Sequence, residues 1–369
     1  MEKRQVIIVG GGIAGAATAW ALAEAGMTDV LLLEKAEQPG VHATGRNAAI
    51  LRTAIPNATL QALALESAAF YRSPPAGFSP QALVDRVGLF LTAPAGEEAQ
   101  NLLPWVNHGE EVDWQEVQAH HPYLQHQTAR AWHFADEGVL DVHAILHGFL
   151  HLAQAAGVEI RYRTKVTDLA VDGTQILGVK IVEGASLVPS ATTTLLAETV
   201  VLAEGGWAGR LAGKHNTSAP AFQARRRHLM VSAIDHAIHP AAPVVWSLGP
   251  DEFYFRPESG GLLLSACDHV AVPAEEGEIL DRDVLSYVAE KALRWLPGLE
   301  NLAVAHAWAG MRTFPEHEGF HIGPDANLSG LHWVAGLGGH GITCAPAIGR
   351  LAARLLLGSR SHLGQSIEV

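Results

Sequence analysis

Short apolar runs, glycine-rich turns and apolar helical stretches follow one another along this chain. Gln5–Val9 (QVIIV) is a β-branched run suited to a buried parallel strand. Gly10, Gly11 and Gly12 follow, and an alanine-rich helix is predicted from Ile13 to about Ala25, ended by Gly26. Val30–Leu33 reads as a second strand. Further on, the pattern predicts a strand at Val87–Thr92, a helix near Val142–Ala156 and a hairpin of Arg161–Val171 with Ile176–Glu183. Strands are also expected at Val200–Ala203, Leu229–Ile234 and Leu331–Ala335, the last leading through glycines into a helix that runs to about Leu357. There is no internal repeat and no low-complexity tail.

At 369 residues the chain is long for a single core, so two domains are expected. Charged residues make up 17% and hydrophobic residues 48%, which points to extensive buried surface. A net charge of −13 repels phosphate backbones and anionic lipid, so neither nucleic acid nor a membrane surface is an expected partner. Two distant cysteines, Cys267 and Cys344, make no disulfide framework and no metal set, and a reducing cytoplasm is the simplest compartment. Lys3 and Arg4 before the uncharged Val6–Ala23 imitate an export signal. Four glycines break that stretch and Glu24 follows at once, so strand–turn–helix explains it better, and no integral membrane segment is expected.

Gly10-x-Gly12-x-x-Gly15 sits between the first strand and the first helix, with Glu34 about twenty residues further on. Gly10 permits the tight turn, Gly12 admits a pyrophosphate to the backbone, and Gly15 lets helix and strand pack closely. The helix start at Ile13 and Ala14 offers free N–H groups to phosphate. Glu34 is placed to accept hydrogen bonds from ribose hydroxyls, which argues against a 2′-phosphate, and Lys35 adjoins it. The loop Thr44-Gly45-Arg46-Asn47-Ala48 is polar, small and cationic, suited to a diphosphate and a flavin edge. Gly205-Gly206-Trp207 and Gly338-Gly339-His340-Gly341-Ile342-Thr343 add two glycine-rich spots, the second opening another helix beside the ligand. A dipole end there suits reduced flavin better than nicotinamide, so FAD is the expected cofactor.

The N-terminal fingerprint, HATGRNAAI, TVVLAEGGWAGRLA and GLGGHGITCAPAIGRLAARLL, in this order, resemble the D-amino acid oxidase (DAO) superfamily of flavoproteins, which includes glycine and sarcosine oxidases. SPPAGF, DEFYFRPESGGLLL and HAWAGMRTF are similar to segments of bacterial D-arginine dehydrogenases, the nearest branch. The resemblance implies an α/β fold: a Rossmann-like FAD-binding domain (1–75, 139–215 and 310–369) interleaved with a mixed, strand-rich substrate domain (76–138 and 216–309). It implies non-covalent FAD, with Val166 against the adenine and Gly310 near the flavin. It implies hydride transfer from the α-carbon of a D-amino acid to flavin N5, giving an imino acid that hydrolyses to a 2-oxo acid and ammonia. The alternatives are oxidation of a secondary amine or N-substituted glycine, and a non-catalytic flavin-binding subunit.

By the same resemblance Arg312 forks onto the substrate carboxylate, Tyr254 joins the clamp and Arg227 is an active-site arginine. Each has a bland reading too: a surface ion-pair arginine, a core aromatic between Phe253 and Phe255, and a solvated basic face in Arg225-Arg226-Arg227-His228. If that basic run is extended, Arg225 and Arg227 point one way, and Arg226 and His228 the other. The expected pocket also takes in Ile50, Arg52, Ile55, Gly88, His228 and Trp246. Ile50, Ile55 and Gly88 stand where D-arginine dehydrogenases have a histidine, a tyrosine and a glutamate, which removes the preference for a cationic side chain. Arg52 faces either an acidic side chain, the flavin phosphates or solvent. Leu262–Leu264 after Gly260-Gly261 lacks the lysine that sarcosine-type oxidases use for oxygen, so a dehydrogenase with a quinone or other acceptor is expected. His143, His147 and His151 recur every four residues, but no further ligand completes a metal set, and none is expected.

Overall fold

A computed structural model describes residues 2–184, 192–301 and 303–361. The first strand, Lys3–Val9, pairs in parallel with Val30–Leu33 on one side and Thr193–Leu202 on the other. With Glu159–Arg161, Thr164–Asp172, Gln175–Glu183, Leu331–Ala335 and His321–Pro324 these form an eight-stranded sheet. The expected hairpin is present, with Thr164–Asp172 antiparallel to Gln175–Glu183. Between sheet strands run Ile13–Glu24 and Val142–Ala155, and Ala345–Ser361 packs against the first of these helices. Ile13–Glu24 is apolar nearly all round, which fits a helix buried between sheet and helices rather than one with a wet face. Gly349 makes the helix contact close: a Cβ there would lie 2.3 Å from the Ala17 carbonyl oxygen.

A nine-stranded sheet forms the second body. Its order is Val270–Ala271, Phe222–Ser232, Gly261–Ser265, Phe253–Glu258, Val244–Ser247, Leu89–Ala93, Arg130–Phe134 and Glu110–Val112, with Val304–Pro315 on the free flank of Phe222–Ser232. The helix Arg282–Trp295 covers it, its N-terminus capped by the Asp281 carboxylate. The strand expected at Leu229–Ile234 is longer than its apolar part, because the basic run pairs residue for residue with Val304–Pro315. That partner strand is continuous through position 310, where the sequence pointed to a domain boundary. A three-stranded sheet of Ile50–Leu51, Gly138–Leu140 and Val84–Asp85 links the two bodies. Among the described residues no helix is long and apolar enough to cross a membrane.

Candidate active site

Two cavities of about 370 and 280 Å3 share Gly12, Ala43, Thr44, Ala203, Gly205 and Gly206 and together form one long cleft. The smaller holds Gly10, Glu34, Lys35, Val166 and Trp207. The larger holds Ile13, Ala14, Arg46, Asn47, Ala48, Gly310 and the loop Gly338–Thr343. The glycines there do different work. Gly10 has φ +114°, and a Cβ on it would lie 2.4 Å from the Ala203 oxygen. Gly15 lines neither cavity, and its Cβ would lie 2.0 Å from the Gly10 oxygen, so it serves packing. At Gly12 a Cβ would meet only Thr44 Oγ1, at 3.2 Å, and would otherwise stand in the cleft.

Glu34 is buried and accepts the amides of Gly11 and Ala36, each at 2.7 Å, which fixes its carboxylate at the end of the second strand. Lys35 lies 3.3 Å over the Trp207 ring, and burial lowers its pKa. Thr44 Oγ1 accepts the Ile13 amide, tying the loop to the helix start. Asn47 donates to the Thr44 carbonyl and accepts the Ala49 amide, holding the turn in which Ala49 takes φ +57°. Arg46 pairs with Glu278 at 3.3 Å. Gly310 is required because the Arg46 oxygen would stand 2.6 Å from its Cβ. Gly45 lies on the far side of this loop, against a separate hollow. This is a cleft a long dinucleotide fits: amides at a helix start, a fixed carboxylate at one end, and backbone without side chains along it.

The larger cavity continues beyond the Gly338–Thr343 loop into a pocket of cations. Strand pairing sets Arg225 opposite Arg312 and Arg227 opposite Gly310, so Arg225, Arg227 and Arg312 share one face. Arg226 and His228 take the other face, where Arg226 pairs with Asp281 at 3.1 Å. Arg227 Nη2 and Arg312 Nη2 both reach the His269 ring at 2.9 Å, and both arginines donate to the Asp268 carbonyl. Burial, and then Arg312 and Arg227, push the His269 pKa down to about 4, so the ring is neutral. One neutral imidazole is a poor partner for two guanidiniums, and Arg312 Nε is buried with no partner at all. Loss of water and then Arg227 lower the Arg312 pKa to about 9. The arrangement calls for an anion.

Alternation turns Tyr254 to the opposite face from its neighbours, where it belongs to a second buried cluster with Leu263 and Cys267 and also borders the cavity. Phe253 and Phe255 pack into the core with Trp295, while Tyr254 lines the cavity and lies against Trp246, ring centroids 4.5 Å apart and tilted by 40°. Trp246 donates to Glu252 Oε1 at 3.0 Å. Burial raises the Glu252 pKa, but Arg227, Trp246 and Arg52 outweigh it, so Glu252 is ionised below its ordinary value. Arg52 and Ile50 also line the cavity. His340 lines it too, its pKa pushed to about 3 by burial and by Arg52, Arg312 and Arg227, so it is a neutral ring and no proton store.

Three expected pocket residues lie outside the cleft. Ile55 is in the helical core of the first body. Gly88 has φ +89°, and a side chain there would run into His133 rather than the pocket. His228 is fully buried behind the strand. Its Nε2 accepts the Asp281 amide, so Nδ1 donates to Asp268, and it anchors the turn whose carbonyl holds the two arginines. Sequence reasoning passed over Glu252 and His269. DEFYF carried the first beside Tyr254, but nothing in the sequence marked His269, which enters through a turn with Cys267 at φ +58°.

The model of the family described as "FAD dependent oxidoreductase" (DAO) matches residues 5–355. The chain belongs to the DAO family of FAD-dependent oxidoreductases. It is 25% identical over 372 residues to glycine oxidase of Geobacillus kaustophilus, covering 96% of this chain and 93% of that one. It is 25% identical over 383 residues to 4-methylaminobutanoate oxidase (formaldehyde-forming) of Paenarthrobacter nicotinovorans, covering 99% of this chain. This chain spans only 45% of that relative's length. Among solved structures, L-proline dehydrogenase from P. horikoshii superposes with TM-score 0.83 at 20% identity, covering 97% and 94% of the two chains. Glycine oxidase from Bacillus cereus gives 0.78 at 22%, covering 96% and 95%. The mixed α/β fold with two large sheets is that of this family. The family's description makes FAD the cofactor and oxidation–reduction the chemistry.

Proposed function

We propose that this flavoprotein oxidises a small amine bearing a carboxylate, with a substituted nitrogen as the favoured substrate, as in an N-alkyl amino acid. The observation that carries it is the pair Arg227 and Arg312, turned onto one neutral imidazole at the flavin end of the cleft. Arg312 offers its fork to the carboxylate, and Tyr254 and Trp246 wall the pocket around the rest. When bound, FAD supplies the hydride acceptor. The chain's own work is positioning: the clamp fixes the carbon beside nitrogen, and apolar walls keep water from the reacting atoms. His269 leaves the arginines when the carboxylate arrives. One relative is named for a methylamino substrate, which supports a substituted nitrogen, and another for glycine, which supports only a small amine bearing a carboxylate. A primary D-amino acid is the second reading, favoured by Arg312 and Tyr254 within HAWAGMRTF and DEFYFRPESGG. The electron acceptor belongs to the same proposal: a quinone or other carrier, because Leu262–Leu264 fills the strand after the glycine pair without a lysine.

An anaerobic bleaching screen tests this. The holoenzyme is mixed with sarcosine, longer N-alkyl amino acids, and D- and L-amino acids while flavin absorbance is followed. Bleaching by N-alkyl amino acids supports the first reading, and bleaching by D-amino acids alone supports the second. Bleaching only by amines that lack a carboxylate overturns both.

A further inference from the structure

Arg52 is left over once the carboxylate clamp is accounted for. It is 7% exposed, lines the same cavity as Arg227 and Arg312, and its Nε and Nη1 are buried without a partner. Its guanidinium lies 4.4 Å over the Trp246 ring, which in turn packs at a tilt against Tyr254. A guanidinium on an aromatic face keeps its edge donors free, and a charged donor buried without an acceptor is costly. Burial lowers the Arg52 pKa most; of the surrounding charges Glu252 compensates most strongly, Glu137 next, and Arg227 opposes. Glu252 is already held by Trp246 and shared with Arg227. Glu137 is turned to Thr53, whose amide it accepts at 2.9 Å, and burial lifts its pKa to about 7.

The charges lining the cavity do not balance. Among the described lining residues the cations are Arg46, Arg52, Arg227 and Arg312, and the only carboxylate is Glu252. Arg46 is taken by Glu278, outside the cavity. Three guanidiniums therefore face one carboxylate. One substrate carboxylate leaves an excess positive charge, and two remove it. We propose that the substrate is a diacid, and that Arg52 receives its second acidic group across the Trp246 face. This rests on the reading that Arg312 and Arg227 clamp a first carboxylate. The second acid is carried either on the nitrogen substituent or on the side chain.

Glutarate and its half-amide, glutaramate, test it without turnover. Each is titrated into the holoenzyme, with flavin absorbance and melting temperature as readouts. The expected result is that glutarate binds about tenfold to a hundredfold more tightly than glutaramate. R52Q brings that ratio close to one, and R52K keeps part of it, because lysine preserves the charge but not the fork. If R52Q does not hold its flavin, the wild-type ratio and R52K decide. Equal binding of the two compounds to the wild type overturns the second receptor and leaves the clamp standing, and so does a ratio that R52Q preserves. Failure of both to bind overturns the clamp as well. Anaerobic flavin reduction by N-carboxymethylglycine, against D-aspartate and D-glutamate, then shows which side of the nitrogen carries the second acid. Reduction by monoacids alone overturns the proposal.

Discussion

Replacing Gly12 with alanine separates folding from cofactor binding. Gly12 caps the first helix with φ −78° and ψ −176°, a conformation alanine adopts freely. Its new methyl would meet only Thr44 Oγ1, at 3.2 Å. Alanine caps a helix less well than glycine, but it lowers the entropy of the unfolded chain, and these effects offset to within about 1 kcal/mol. The apoprotein is therefore expected to melt within about 3 °C of the wild type. The methyl instead occupies the cleft beside the Ile13 and Ala14 amides, where the pyrophosphate must approach. The Ile13 amide is already given to Thr44 Oγ1, so the bond lost is the charge-assisted one to the Ala14 amide, which costs about 2 kcal/mol or more and weakens FAD binding about thirtyfold or more. The assay pairs apoprotein melting with FAD titration followed by flavin fluorescence. G10A and G15A are the contrasting variants: their methyls would strike backbone oxygens at 2.4 and 2.0 Å, so loss of soluble protein is expected. A G12A protein with wild-type FAD affinity would refute the placement of the phosphates, and an unfolded G12A apoprotein would refute the claim that only the ligand needs this glycine.

R312K is expected to lower kcat/KM about tenfold to a hundredfold, because the charge remains but the planar fork is lost; a change in kcat with no change in carboxylate affinity would contradict the clamp. H269A removes the acceptor that competes with substrate for Arg227 and Arg312, so glutarate should bind more tightly; weaker binding would show that His269 helps hold the ligand. Glu137 has its pKa raised to about 7 by burial, so the folded chain holds that proton more tightly than the unfolded chain. Its stabilising contribution is complete below pH about 4.5, declines as pH rises towards about 7 and is flat above. E137Q should therefore gain stability relative to wild type between pH 5 and 8, by at most about 3 kcal/mol. Melting curves of the two proteins at both pH values check this, and the difference cancels the buried His121 and His332, whose pKa values burial pushes to about 4. A gap that does not change with pH would count against a buried, protonated Glu137.

The cofactor half of the cleft was legible because its demands are local. A strand, a tight turn, a helix start and a carboxylate follow one another within about thirty residues, and each step constrains a single residue type. Gly10, Gly12 and Gly15 could be given separate roles before any geometry, and their surroundings differ: a positive φ at Gly10, open cleft at Gly12 and a close backbone contact at Gly15. The substrate half follows no such local grammar. Periodicity correctly put Arg225 and Arg227 on one face of their strand, but only the register against Val304–Pro315 brings Arg312 to that face. His228 shows the opposite error. It was counted among the expected pocket residues, while alternation had already turned it away, and the period-two argument was the better guide.

Arg52 shows why the remainder was out of reach. Its neighbours in the chain left it open to phosphate, solvent or substrate. What fixes it is Trp246, nearly two hundred residues away, brought alongside by strands that pair across the second sheet. Charge balance in a pocket is likewise a property of the assembled wall. The net charge of the whole chain is strongly negative, yet the described lining of the cavity that meets the substrate has four arginines, one of them paired with Glu278, and a single carboxylate, Glu252. The acidic exterior neither creates nor cancels that local field, because buried charges are screened far less than charges in water. An overall composition that repels polyanions is thus compatible with a site that selects a small dianion. The selectivity rests on whether Arg52 remains without a partner until the ligand arrives.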